Sequence, residues 1–184
     1  SQSGGYLILR GRLKRTPTAY STVSNLTDIS LSTLNTSRAL NGISAGFGTF
    51  NLENTSNIFS VSGGTIRIYD VCGIAVGEQE AFDVKSSTSN SNVTGGTLEI
   101  IPVTGTILAD AANFRINTNI PLYNMVINRL SSSSVVEMSS VLMLQNHLSI
   151  TSGSLNANNY DLTIGGNLSF ENGTTYIPGT NTTI

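Results

Sequence analysis

Apolar and polar positions alternate in short runs along this chain, and the runs recur at fixed spacing. Phe50, Phe82 and Phe114 lie 32 residues apart and head the segments FNLE, FDVK and FRIN. In each segment the first and third residues are apolar and the second and fourth polar, the period-two signature of a strand with one buried face. Phe50 with Leu52, Phe82 with Val84, and Phe114 with Ile116 are therefore expected to point inward. The phrases VSGGTIRI, residues 61–68, and VTGGTLEI, residues 93–100, repeat at the same interval and align Ile66 with Leu98 and Ile68 with Ile100.

The polar positions report on how the copies are arranged. If one copy lies directly on the next, residue i sits beside residue i+32, which brings Asp83 to Arg115, Glu53 to Lys85 and Arg67 to Glu99. All three pairs have opposite charge, and each exposed pair contributes about 0.2–1 kcal/mol and biases the register. On the same geometry Phe82 is expected to be sandwiched between Phe50 and Phe114. Farther along the interval shortens to 20, where LMLQNHLSITSG, residues 142–153, aligns with LTIGGNLSFENG, residues 162–173. Leu142 then matches Leu162, Leu144 matches Ile164, Leu148 matches Leu168, Ile150 matches Phe170 and Gly153 matches Gly173.

No window carries a sustained helical stripe, and Gly, Asn, Ser and Thr punctuate the chain every few residues. Repeats of roughly 20 to 50 residues signal solenoids, propellers or arrays, and each copy here holds two or three short strands rather than the four of a propeller blade. The expected fold is all-β, a parallel β-helix (β-solenoid) with coils of about 20 to 32 residues and almost no helix. It forms a single module over residues 1–184, with entry coils in 1–46, 32-residue coils in 47–121 and 20-residue coils in 122–184. Corners fall at Gly64, Gly96, Gly153, Gly166 and Gly173 and at Asn-rich tracts, because these residues tolerate positive φ or bond their own backbone. The longer coils carry longer loops, DVCGIAVGEQE at 70–80 and SSTSNSN at 86–92. The closing stretch TTYIPGTNTTI reads as strand and turn with no polar cap, so the natural chain is expected to continue beyond Ile184.

Composition narrows the partners. Hydrophobic residues make up 39% of the 184, enough for a core, yet only 11% are charged, so hydroxyls and amides must coat the surface. A net charge of −2 supplies no broad basic field, and nucleic acid is not an expected partner. The one basic cluster, RGRLKR at 10–15, lacks interleaved aromatic residues and reads as a solvated strand edge or connector. No apolar run reaches the length of a membrane span, and the opening SQSGGYLILRGR lacks the pattern of a secretory leader. The chain is thus either soluble inside the cell or an excerpt whose export signals lie elsewhere.

Reactive side chains are few. Cys72 is the only cysteine, which excludes a disulfide or a multi-thiolate zinc site within the chain, and its apolar neighbours suit an inert buried thiol. His147 is the only histidine, and by alternation beside inward Leu148 it is expected to face outward or sit at a bend. Glu78, Glu80 and Asp83 form the one tight acidic group and read as a solvated turn rather than a calcium site. Gly-Gly steps at 4, 63, 95 and 165 lack the Lys and Ser/Thr of a phosphate loop. Asn25, Asn54, Asn92, Asn167 and Asn172 match the glycosylation triplet, as expected by chance in so Asn- and Thr-rich a chain. No catalytic, metal-ligating or cofactor-binding residue is nominated, and no cofactor is expected. A pair of carboxylates for glycosidic cleavage has to converge in space, which spacing alone does not decide.

The phrases VSGGTIRI, VTGGTLEI, IPLYNMVIN and SGSLNANNYDLTIGGNLSFENGTTYIPGTNTT resemble segments of very large repeat-rich cell-surface adhesins of the Bacteroidota, including type IX secretion substrates and gliding-motility adhesins. The likeness runs from about Phe47 to the end, with LYNMVIN, LTIGGN and GTTYIPGT its most specific parts. It implies an extracellular, cell-surface module that lies between flanking repeats of the same parent chain and attaches cells to surfaces or polysaccharides. Export would act through regions not present here, and the family resemblance assigns no ligand-touching residue. The expected function is a non-enzymatic structural and adhesive role without membrane insertion. The alternatives are a carbohydrate-active β-helix, lyase or hydrolase, and a recognition module whose loops at 70–80 and 86–92 hold a ligand.

Overall fold

The computed structural model describes residues 6–9, 13–15, 22–23, 28–31, 50–52, 54–68, 80–101, 114–129, 131 and 134–180. Among them the period-two segments form strands and no α-helix occurs, one 3-10 turn at Thr88–Asn90 excepted. In chain order the strands are β1 (Tyr6–Leu9), β2 (Leu13–Arg15), β3 (Thr22–Val23), β4 (Asp28–Leu31), β5 (Phe50–Leu52) and β6 (Ile58–Ile68). They continue as β7 (Glu80–Val84), β8 (Ser91–Ile100), β9 (Phe114–Thr118), β10 (Asn124–Asn128), β11 (Val135–Met138) and β12 (Leu142–Leu144). The last are β13 (Leu148–Ser152), β14 (Ser154–Asn156), β15 (Leu162–Ile164), β16 (Leu168–Phe170) and β17 (Thr175–Ile177).

These strands build parallel sheets. The first runs β1-β4-β6-β8-β10-β13-β16, with β3 also on β6, the second runs β2-β5-β7-β9-β11-β14-β17, and the third pairs β12 with β15. From β4 to β11 consecutive strands alternate between the first and second sheets, and from β12 onward the chain cycles third, first, second, twice over. Each strand therefore returns beside the strand one cycle earlier. Parallel neighbours cannot be joined by tight hairpins, which is why the ladder contacts are long-range in sequence.

Register decides which side chains share a column. Ile66, Leu98, Met125, Leu148 and Leu168 are successive partners across the first sheet, as are Ile68, Ile100, Ile127, Ile150 and Phe170. All of these are buried except the members on β16, where Leu168 is half-buried and Phe170 is 47% exposed. Across the second sheet Phe50 pairs with Phe82, their rings stacked with centroids 5.2 Å apart, and Phe59 meets Phe50 edge-on at 6.1 Å. Such ring pairs add about 0.5–1.5 kcal/mol beyond the area they bury. The inward assignments at Phe50, Leu52, Phe82, Val84, Phe114 and Ile116 hold, all being at most 2% exposed. Four of the five 20-residue matches appear in the ladders, Leu142 on Leu162, Leu144 on Ile164, Leu148 on Leu168 and Ile150 on Phe170, and beyond Gly153 the offset grows to 21, with Ser154 on Thr175.

Two of the 32-residue expectations fail. Between β7 and β9 the offset is 34, so Phe82 faces Ile116 rather than Phe114, and Asp83 faces Asn117 rather than Arg115. The rings thus stack on one side of Phe82 only. Asn117 Nδ2 donates to Asp83 Oδ1 at 3.2 Å, while Arg115 turns to Glu137 on β11, Nη2 to Oε2 3.0 Å. Arg67 does meet Glu99, Nε to Oε2 2.6 Å, in register on β6 and β8. Glu53 lies outside the described residues.

Of the Gly-Gly steps, the one at 165 falls between β15 and β16, as expected of a corner. Those at 63 and 95 do not separate strands but bend continuous ones, with Gly64 and Gly96 at φ 77 and 91 inside β6 and β8, where the register shifts around Ser62. A bulge there turns the ladder without breaking it.

Candidate functional site

Where Gln145 and Asn146 enter β13, three layers of chain stack into a corner. The Gln145 and Asn146 N–H groups donate to the carbonyls of Leu122 and Tyr123, and the next layer repeats this as Gly165 and Gly166 donate to Leu144 and Asn146. Asn146 Nδ2 donates to Asn124 Oδ1 at 2.9 Å, an amide rung between layers. His147 is exposed and sits at this bend, as its place beside Leu148 predicts. The Asn167 N–H donates to His147 Nδ1 at 2.9 Å, so that nitrogen is an acceptor already in use and the ring proton resides on Nε2. The imidazole therefore ties one layer to the next. Gly166 has room for no side chain, because a Cβ there would lie 2.7 Å from His147 Nδ1 and 2.9 Å from Asn146 O.

Beside this corner the third sheet turns inward with Leu142, Leu144 and Leu162, and by alternation shows Val141, Met143 and Thr163 to the outside. Val141 and Met143 are 51% and 47% exposed, which gives the face an apolar ridge among amides and hydroxyls. A cleft of about 20 Å³ lies near Gly95, Gly96, Leu122 and Tyr123, room for about one water. The flank carries Gln145, whose Nε2 donates to the Val93 carbonyl at 2.9 Å.

The sequence's other candidates are dispersed. Cys72, Glu78 and the loop residues 70–79 lie outside the described residues, as do Arg10 and Arg12 of the basic cluster. Asp83 is fully buried rather than part of a solvated turn, bonded to Asn117 and with Lys85 Nζ 3.5 Å from its second oxygen. The segment 86–92 is an anchored corner, not a free loop: Ser87 N–H and Asn90 Nδ2 both donate to the Thr55 carbonyl, each at 3.0 Å. Among the described residues no three His, Cys, Asp or Glu converge as metal ligands. Asn54 and Asn92 of the glycosylation triplets fall at a turn and on β8, Asn167 and Asn172 at exposed turns.

Sequence reasoning missed Arg129. It is only 4% exposed and its guanidinium lies 5.8 Å from the centre of the Phe114 ring, a cation–π contact at the exit of β10. A single arginine in NRLS gives no periodic signal of burial. What the described surface can offer a ligand is amides, hydroxyls and a few apolar side chains.

No protein-family model, curated protein or solved structure matches this chain. Among the described residues no helix is long and apolar enough to cross a membrane.

Proposed function

We propose that the chain is a parallel β-helix module, a β-solenoid with coils of about 20 to 32 residues, serving a non-enzymatic structural and adhesive role in a larger secreted cell-surface protein. The observation that supports this reading best is the run of in-register columns, in which Ile68, Ile100, Ile127, Ile150 and Phe170 follow one another across the first sheet. A stack held by main-chain ladders along its axis extends by adding like units and presents the same outer faces at every layer. Its outer surface is hydroxyl- and amide-rich with few charges, which suits many weak hydrogen bonds to neutral polysaccharide. Repetition along a long chain then makes weak contacts effective through avidity. Flanking repeats of the parent chain are its structural partners, surface polysaccharide its ligand class, and the cell exterior its location.

The test is binding without turnover. Beads coated with the purified chain at high density are expected to be retained on polysaccharide-coated surfaces more strongly than the free chain, with no release of reducing ends. Release of oligosaccharide would replace this reading with the carbohydrate-active one, and equal retention of beads and uncoated controls would remove the adhesive role.

A further inference from the structure

The corner between β16 and β17 closes with Glu171, Asn172, Gly173 and Thr174. The Thr174 N–H donates to the Glu171 carbonyl at 3.2 Å, and its hydroxyl donates to the same oxygen at 2.7 Å. Gly173 has φ 83 while Asn172 keeps a negative φ, the pattern of a type II turn with glycine at its third position. Asn172 is exposed, and a Cβ built on Gly173 would meet nothing within 4 Å. Neither the Asn172 side chain nor the Gly173 N–H takes part in a hydrogen bond among the described residues. Other asparagines are engaged or hindered: Asn146 bonds Asn124, Asn158 bonds the Met138 carbonyl, and Asn167 precedes the bulkier Leu168 at the start of a strand. Asn172 is the one described asparagine followed by glycine.

We propose that Asn172 is a site of spontaneous deamidation through a succinimide. The Gly173 amide nitrogen, giving up its proton to solvent base, attacks Asn172 Cγ and forms a five-membered ring. The side-chain amide nitrogen leaves as ammonia, carrying away the equivalent of that proton. Water then opens the ring at either carbonyl, leaving aspartate or isoaspartate. Nothing is oxidised or reduced, and water is the only co-reactant. Glycine favours the attack because no side chain shields its nitrogen, and an unbonded N–H is free to ionise.

Two consequences follow in the layer that β16 and β17 form. A new carboxylate appears beside Glu171, and the isoaspartyl product lengthens the backbone by one methylene where Gly173 matches Gly153, at φ 83 and 92. The strand that leaves this turn, β17, is tied to the preceding layer where the Thr175 N–H donates to the Gly153 carbonyl at 3.4 Å. Ageing is therefore expected to loosen β17 and leave β14 in place.

The folded chain and a free peptide of residues 168–177 are incubated together in mildly alkaline buffer, cleaved after Glu171 and weighed by mass spectrometry. Asn172 is expected to gain about 1 Da at a rate close to that of the peptide, faster as pH rises, and amide exchange at Thr175–Ile177 to quicken in the aged protein. Segments bearing Asn146, Asn158 and Asn167 stay unchanged, and Asn172→Gln abolishes the gain. Conversion of the peptide without conversion of the folded chain, or equal conversion at Asn167, would overturn the proposal.

Discussion

Phe82→Ala is expected to lower the unfolding free energy by about 3–5 kcal/mol, the usual cost of removing a fully buried ring and leaving its cavity. The residue is completely buried on β7, stacked on Phe50 at 5.2 Å and backed by Ile116 in the next layer. No exposed side chain stands by to fill the space, since the column above and below is equally buried. Phe170→Ala removes the same atoms from a residue 47% exposed on the outermost strand of the first sheet, and there the loss is expected to stay near or below about 1 kcal/mol. Urea titrations of both variants measure the difference as a shift in midpoint at constant slope. Equal losses at the two positions would mean that Phe82 does not occupy a sealed column.

The second large effect concerns two glycines in equivalent places of the 20-residue repeat. Gly153 and Gly173 have φ 92 and 83, so an L side chain at either costs about 1–2 kcal/mol in backbone strain. Their surroundings differ. A Cβ at Gly153 would lie 2.8 Å from both the Arg129 Cβ and the Ser134 carbonyl oxygen, whereas at Gly173 it would touch nothing. Gly153→Ala is thus expected to destabilise the chain by at least about 1 kcal/mol more than Gly173→Ala, because backbone and the Arg129 stem must both move. Thermal and urea unfolding of the two variants compare them directly.

The period-two pattern identified Phe50, Leu52, Ile66, Ile68, Phe82, Val84, Leu98, Ile100, Phe114 and Ile116 as inward but passed over the buried Phe59 and Val93, and the 20-residue alignment gave the pairing of Leu142 with Leu162 and Leu148 with Leu168 directly. It did not give the pairing of β7 with β9, and the reason is physical. Alternation fixes which face a residue takes, and a slip of one residue would put Phe82 on the wrong face. A slip of two, from an offset of 32 to one of 34, keeps Phe82 and Ile116 both inward and leaves the pattern unchanged. Only the charges registered it, as Arg115 found Glu137 and Asp83 found Asn117. Burial on the outer face was illegible for a similar reason, since Asp83 sits at an outward position yet is fully covered. The corner around His147 was legible as a bend, but its amide rung from Asn146 to Asn124 depends on an offset of 22 that no repeated phrase announces.

That mixture bears on function. Columns that continue from layer to layer are the regular part of the chain, while corners and outer positions are where the repeat is loosest. Val141 and Met143 have no apolar counterparts one copy later, where Asp161 and Thr163 stand.

The most direct test is an NMR map of interstrand contacts in the labelled chain. Ser149 is expected to show parallel backbone contacts to Val126 on one side and Ser169 on the other, with Leu142 beside Leu162. Antiparallel contacts joining residues 142–144 to 148–152, the hairpin that a β-sandwich would use, would contradict the stacked arrangement.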